Sequence, residues 1–160
     1  KCDEILQAKF TQNDARATVA REHGFGSWAQ VEAHGSRRFN RHFEDAVNAL
    51  IAGEYDRLKV LLARFPQLVQ AVSPYGHRAT LLHYVAANGV ETWRQKVPPN
   101  AVEITRLLLE AGADVDAKAD VYGGRFDTLS LLESSAHPAA MGLTEPIAAL
   151  LRAAQRKTPT

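Results

Sequence analysis

Cysteine is almost absent from this sequence, because its 160 residues include only Cys2. A single cysteine cannot form an internal disulfide, and it cannot supply the cysteine pairs of a structural zinc site. This usage fits a reducing compartment, so we expect a cytoplasmic protein. No apolar run approaches the roughly 20 residues of a membrane-spanning helix, and no signal-peptide pattern begins the chain. We therefore expect no association with a membrane.

An excess of one charge is lacking as well. The chain has 19 lysines and arginines against 18 aspartates and glutamates, which gives a net charge of +1. A nearly neutral chain produces no strong field for nucleic acid or an anionic membrane, so nucleic acid is not predicted as a partner. The basic stretch with Arg37, Arg38 and Arg41 is better interpreted as a solvated linker than as a phosphate-binding patch.

Signatures of catalysis and metal binding are also missing. The six histidines show no His-Glu-x-x-His spacing, and no serine lies in a Gly-x-Ser-x-Gly turn. Asp114, Asp116 and Asp120 alternate, but this stretch lacks the glycine and the distal glutamate of an EF-hand loop. We therefore predict a protein that is not an enzyme and that binds neither a cofactor nor a metal.

Apolar residues are plentiful, at 46% of the chain, and from Phe43 onward they recur at helical spacing. Ala46, Val47 and Leu50 fall on one helical face, Gly53 interrupts the pattern, and a second amphipathic run follows. A polar connector rich in turn residues comes next and includes Pro74 and Gly76. Helix, tight turn, helix and connector form the unit of a helical repeat.

The centre of the chain carries the clearest repeat pattern. Residues 80 to 89 read Thr-Leu-Leu-His-Tyr-Val-Ala-Ala-Asn-Gly, and residues 104 to 117 read Ile-Thr-Arg-Leu-Leu-Leu-Glu-Ala-Gly-Ala-Asp-Val-Asp-Ala. Both stretches resemble the ankyrin repeat without a gap, except that Leu81 replaces the family's proline. The intervening loop, 90 to 100, is about eleven residues longer than the family unit of about 33 residues requires.

This resemblance implies an all-α fold, namely a short ankyrin-repeat solenoid of helix-turn-helix units behind an N-terminal helical extension. The extension is expected over residues 1–36 and the repeats over residues 43–157. Three units are predicted, at about 43–76, 77–124 and 125–157. Insertions are expected near 90–100 and near 136–143, the second as a long turn through His137 and Pro138. The third unit, from Asp127, fits two registers that differ by one residue.

The N-terminal extension is predicted to form two short helices. Thr11 and Asp14 have capping-box spacing, His23-Gly24 is a typical helix end, and Ser27 with Gln30 can open the second helix. Residues 20 to 28 resemble a segment that many bacterial ankyrin proteins carry ahead of their repeats. The resemblance implies a bacterial source and an extension that covers the first repeat.

The resemblance also implies how the chain works, by binding another protein through its connector fingers and the concave face of its first helices. The fingers correspond to residues 73–78 and 118–127, and the inserted loop adds Trp93 and its neighbours. Aromatic residues and arginine are enriched at interface hot spots. The predicted partner-binding residues are Tyr75, His77, Arg78, Trp93, Arg94, Tyr122, Arg125 and Phe126. Packing of the finger aromatics against each other explains the same residues equally well.

A second function stays open at this stage. The chain could bind a small ligand or act as an enzyme through a pocket under the inserted loops. This alternative requires a deep pocket that holds several polar groups with perturbed pKa values.

Overall fold

The computed structural model describes residues 11–35 and 40–156, which are mostly helical. The helices are α1 (Gln12–Glu22), α2 (Trp28–Gly35), α3 (Arg41–Ile51), α4 (Tyr55–Arg64), α5 (Leu81–Tyr84), α6 (Ala101–Glu110), α7 (Thr128–Glu133), α8 (Ala136–Ala140) and α9 (Thr144–Gln155). Short 3-10 helices span Pro66–Val69 and Thr92–Arg94, and an antiparallel pair of strands, β1 (Ala119–Val121) and β2 (Gly124–Phe126), adds a small sheet. The expected helical class is thus confirmed, with a sheet that was not predicted. Cys2, Arg37 and Arg38 lie outside the described residues.

The first helix of the N-terminal extension begins and ends where the sequence predicts, and the second begins next to the predicted Ser27. The Thr11 hydroxyl accepts the Asp14 N–H at 3.2 Å, and the Asp14 carboxylate accepts the Thr11 N–H at 2.8 Å. This reciprocal pair is a capping box. His23 ends α1, and Gly24 follows with φ 77°, a conformation that glycine adopts without steric cost.

A continuous core runs from α3 to α9. Helix α3 packs against α4 and α5, while α9 packs against α6 and α7. The largest fully buried side chains are Phe43, Leu50, Leu58, Leu68, Leu81, Leu82, Tyr84, Ile104, Leu108, Leu131, Leu132 and Ile147. Burial of one such side chain contributes about 1.5–3 kcal/mol, so this core supplies the main stabilising free energy. None of the helices in the described ranges is both long and apolar enough to cross a bilayer.

Both turn-rich connectors form hairpins, and the two hairpins lie side by side. In the first, Val72 forms an antiparallel bridge with Thr80. The second joins β1 to β2 through Tyr122 and Gly123, which have φ values of 51° and 74°. Two consecutive positive φ angles indicate a type I′ turn, which matches the twist of paired strands. The Asp120 N–H donates to the carbonyl of His77 at 2.8 Å and connects the two hairpins.

One feature near the C-terminus differs from the sequence-based expectation, and another fits one of the two registers that the sequence left open. Residues 136 to 140 form helix α8 instead of part of a long turn. Pro138 lies in the first turn of this helix, where a missing N–H costs no intrahelical hydrogen bond. Helix α7 starts after Asp127, whose carboxylate accepts the Ser130 N–H at 2.8 Å. Asp127 therefore caps α7, and Thr80 holds the corresponding position ahead of α5.

Candidate functional site

The structure divides the predicted partner-binding residues into an exposed group and a buried group. Trp93 is 51% exposed and Tyr122 is 71% exposed. Arg78 and Arg125 also have solvent-exposed side chains, whereas the two remaining aromatics, Tyr75 and Phe126, are half-buried.

His77 and Arg94 were predicted to bind a partner, and this prediction was wrong. They are only 2% and 8% exposed, because both side chains enter a buried polar network. Little of either side chain is left for a docked partner to contact.

Ring contacts of His23 attach the N-terminal extension to Tyr75 and Trp93. His23 stacks on Tyr75 with ring centroids 5.5 Å apart, and the edge of the same imidazole meets Trp93 at 5.0 Å. Trp93 is therefore held against the extension while half of its surface stays open to solvent. Trp93 therefore both packs against the extension and leaves part of its ring accessible to a partner.

Tyr122 is displayed at the tip of the second hairpin. Its hydroxyl donates to the side-chain oxygen of Asn88 at 2.6 Å, so the exposed ring is fixed in one orientation. Asn88 in turn donates to the carbonyl of Leu131 at 3.0 Å. The tip of the second hairpin is therefore joined through Asn88 to the segment that follows α5 and to α7.

Two surface depressions lie beside the exposed aromatic residues. The smaller has a volume of about 230 Å³ and lies between α1, the inserted loop and Tyr122, with Gly24, Thr92 and Gln95 in its lining. The larger has a volume of about 650 Å³ and lies between residues 24–26 and the β1–β2 hairpin. Thr92, the neighbour of Trp93 in the chain, lines the smaller depression, and Tyr122 lines both, so the two exposed aromatics flank the smaller depression.

Beneath this surface, Arg94 forms the centre of a buried polar network. Its Nη1 lies 2.6 Å from Glu44 Oε2 on α3 and 3.1 Å from Glu91 Oε1 in its own loop. Its Nη2 donates to Asn48 at 3.3 Å. One guanidinium therefore joins the inserted loop to α3 by two polar contacts, and a third contact holds Glu91 of the loop itself.

Glu91 extends the network toward the first hairpin. Its Oε2 accepts the Tyr84 hydroxyl at 3.1 Å and lies 3.4 Å from His77 Nε2. The contact with His77 is long and does not have the geometry of a good hydrogen bond. His77 Nδ1 accepts the Ala79 N–H at 3.1 Å, so the ring proton lies on Nε2 and faces the carboxylate.

The environment of the network favours its charged form. Burial by itself would raise the pKa of Glu91, but the facing His77, the backbone N–H of Glu91 and Arg94 lower that pKa below its usual value. Burial would lower the pKa of Arg94, but Glu44 and Glu91 raise it overall. For Tyr84, burial and the neighbouring Glu91 both raise the pKa, so this hydroxyl stays protonated and donates.

The network is arranged for structure more than for chemistry. Both nitrogens of His77 face protein groups, and Glu91 uses both oxygens on neighbours. Glu44 Oε1 is a buried oxygen without a hydrogen-bond partner in the structure. Within residues 11–35 and 40–156, no cluster of histidine, cysteine and acidic residues has an arrangement that could hold a metal ion.

Sequence reasoning missed Glu44, Glu91 and Asn48. A weak signal was present, because Glu91 and Arg94 have the i,i+3 spacing of an ion pair and Glu44 adjoins the buried Phe43 on an apolar helix. The sequence does not show that residues 44 and 94 meet. That contact depends on how the inserted loop folds back over α3.

His83 is a structural residue of the core. It is fully buried, and its Nδ1 accepts the Thr80 N–H at 3.1 Å. Burial lowers the pKa of His83, although the nearby backbone of Phe126 and Ala117 acts in the opposite direction. This histidine is therefore a structural link between α5 and the second connector.

No protein-family model matches the chain, and neither a curated protein nor a solved structure shows significant similarity to it. Its function must therefore be argued from its own geometry.

Proposed function

We propose that this chain is an ankyrin-like module that binds another protein and catalyses no reaction. The observation that carries the proposal is the pair of exposed aromatics, Trp93 and Tyr122, that flank the smaller depression. Both rings are already oriented, by His23 and by Asn88 respectively. Oriented aromatic anchors lose little conformational entropy on binding, which is how protein interfaces gain affinity from few residues.

The architecture supports the ankyrin-like part of the proposal. Helices α3 and α4 pack together and are followed by one hairpin, and α5 and α6 are followed by another. Thr80 and Asp127 cap the helices that follow these hairpins. A repeating arrangement of this kind presents its connectors along one edge, where a partner can contact several at once.

The test is a comparison of partner binding by matched variants. A partner recovered from cells of the source organism is identified, purified and titrated against the wild type by calorimetry. Trp93→Ala and Tyr122→Ala should each weaken binding by about 30-fold, the size expected of a hot spot. Val60→Ala is the control, because Val60 is an exposed apolar residue on α4. Equal affinities for all four proteins would overturn the proposal.

Binding of a small ligand is the second candidate function, and one observation supports it. This observation is the depression of about 230 Å³ beside the inserted loop. This volume is below the roughly 300–1,000 Å³ of most small-molecule sites, and the groups with perturbed pKa values lie in the closed network. Ligand-observed NMR with a fragment library would detect such a site. Fragments that bind the wild type but not Gln95→Trp, whose larger side chain fills the depression, would support binding of a small ligand.

A further inference from the structure

The larger depression, here called the hairpin groove, has walls of unusual composition. Residues 24–26 form one wall and residues 120–125 form the other, and the groove encloses about 650 Å³. Gly24 and Gly26 lie in the first wall, and Gly123 and Gly124 lie in the second. A Cβ atom added to Gly123 would meet nothing within 4 Å. Cβ atoms on Gly24 and Gly124 would instead meet the backbone of His77 and the ring of Phe126, so the backbone of a bound chain can approach closely at Gly123.

Cations outnumber carboxylates around the hairpin groove. Arg21 and Arg125 line it, and Arg78 lies at its margin beside Asp120. Asp120 is shared, at 3.4 Å from Arg125 Nε and 3.9 Å from Arg78 Nε. These separations exceed those of a strong charge-assisted hydrogen bond, so both guanidiniums keep free bonding capacity. Even with Glu22 included, three cations face two carboxylates.

An aromatic ring completes the groove. Tyr122 lines the groove and exposes most of its surface, and its hydroxyl is held by Asn88 at 2.6 Å. The ring is therefore available for apolar contact without losing its own hydrogen bond. The groove thus combines an open backbone, unsaturated arginines and a fixed aromatic surface.

From this combination we infer that the hairpin groove binds an extended acidic peptide segment of the partner protein. The inference rests on the proposed function and specifies the partner's chemistry. Glutamate or aspartate side chains pair with Arg125 and Arg78, which already hold one carboxylate poorly. The peptide backbone lies against Gly123, and an apolar side chain covers Tyr122. Arginine suits this role because its planar fork binds a carboxylate through two parallel hydrogen bonds.

A nucleic acid is a less suitable occupant. Binding of phosphates depends on a field that extends over many charges, and this chain has a net charge of only +1. The glycine walls and the single displayed ring suit one short segment of chain. Oligothymidylate is therefore included in the test as the competing outcome.

The test follows backbone amide NMR signals during titration of the whole chain with a capped octapeptide of alternating glutamate and glycine. The expected shifts concentrate in residues 21–26, 78 and 120–125. The same peptide with glutamine in place of glutamate should bind at least tenfold more weakly. Arg78→Glu and Arg125→Glu should each reduce affinity at least tenfold. Arg106→Glu should leave it unchanged, because Arg106 lines a different groove.

Several results would overturn the inference. These are no shifts at about millimolar peptide, shifts spread over the whole surface, equal binding of the glutamine peptide, and equal binding of oligothymidylate. Unchanged amide spectra in the free variants show that the substitutions leave the fold intact. If a natural partner still binds Arg125→Glu with wild-type affinity, this inference fails while the proposed function stands. If no partner binds the wild type, the proposed function itself fails.

Discussion

The inserted loop, 90–100, and the second hairpin, 118–127, use the same residue types in opposite ways. The loop buries Arg94 between Glu44 and Glu91, whereas the hairpin exposes Arg125 beside a loosely held Asp120. Tyr84, which contacts the loop, is fully buried, and Tyr122 of the hairpin is mostly exposed. The difference shows that arginine and tyrosine side chains can either stabilise the fold, as in the loop, or form an exposed surface, as in the hairpin.

Ionic contacts are worth different amounts in the two regions. A buried pair is costly to form, but removal of one partner leaves the other charged and unsolvated. An exposed pair contributes about 0–1 kcal/mol, because water and salt screen it. Matched substitutions in the loop and in the hairpin should therefore separate structural residues from binding residues.

The largest effect is expected from Arg94→Ala. This change leaves two buried carboxylates, Glu44 and Glu91, without their cation, so the free energy of unfolding should fall by about 3–5 kcal/mol. Arg125→Ala is the matched change in the hairpin, where the side chain is 74% exposed. It should alter stability by no more than about 0.5 kcal/mol. Urea denaturation followed by circular dichroism measures both.

A double variant tests the cause of this loss. Glu44→Gln combined with Arg94→Met removes one buried charge of each sign, so part of the stability lost in Arg94→Ala should return. A double variant as unstable as Arg94→Ala would show that the shape of the arginine, and not its charge, supports the loop.

A smaller contrast is expected between two tyrosine-to-phenylalanine changes. Tyr84→Phe removes a hydrogen bond to the buried carboxylate of Glu91 and should cost about 1.5–3 kcal/mol. Tyr122→Phe removes the bond to Asn88 at the surface, where water replaces it, and should cost less than about 1 kcal/mol. Thermal unfolding of both variants against the wild type gives the comparison. Equal losses would mean that Tyr122 is as important for the fold as Tyr84.

The same contrast explains what the sequence could and could not predict. The apolar spacing around Leu50 and Leu108 and the cap at Thr11 follow from local periodicity and short-range hydrogen bonding. These features depend on residues within a few positions of each other. They were predicted and are found in the structure.

The inserted loop could not be predicted in the same way. The interaction of Arg94 with Glu44 joins residues fifty positions apart, and no periodicity specifies such a contact. The resemblance placed His77 in a connector finger, and the enrichment of arginine at interfaces favoured Arg94 in the inserted loop, so both were predicted at the surface with Arg125. Burial separates these residues, and burial depends on the tertiary path of the loop. The short helix α8 was missed for a related reason, since a proline in a first helical turn resembles a proline in a loop.

The smallest effect on stability is expected from mild acid, between about pH 7.5 and 5.5. It arises at His83 on α5 and not in the second hairpin. Burial lowers the pKa of His83 in the folded chain, so the unfolded chain takes up a proton first, near its ordinary value of about 6.5. Stability should therefore be complete above that pH and decline as the pH falls through it. His83→Asn removes the titrating ring and should flatten this slope whatever its absolute stability.

Stronger acid then acts on the inserted loop. The pKa of Glu91 is lowered in the folded chain, so its stabilising contribution is present above its ordinary value of about 4.3 and is lost at lower pH. Glu91→Gln should shrink this second decline and leave the first. Burial by itself would raise the pKa of Asp127, but Lys118 and Ser130 lower it overall, so Asp127 keeps its own share of the decline. Urea midpoints measured from pH 7.5 to 3.5 for the wild type, His83→Asn and Glu91→Gln resolve the two steps. A wild-type profile that stays flat to pH 4.5 would contradict the burial of an uncharged His83. A second decline of unchanged size in Glu91→Gln would move the acid-sensitive contact out of the inserted loop.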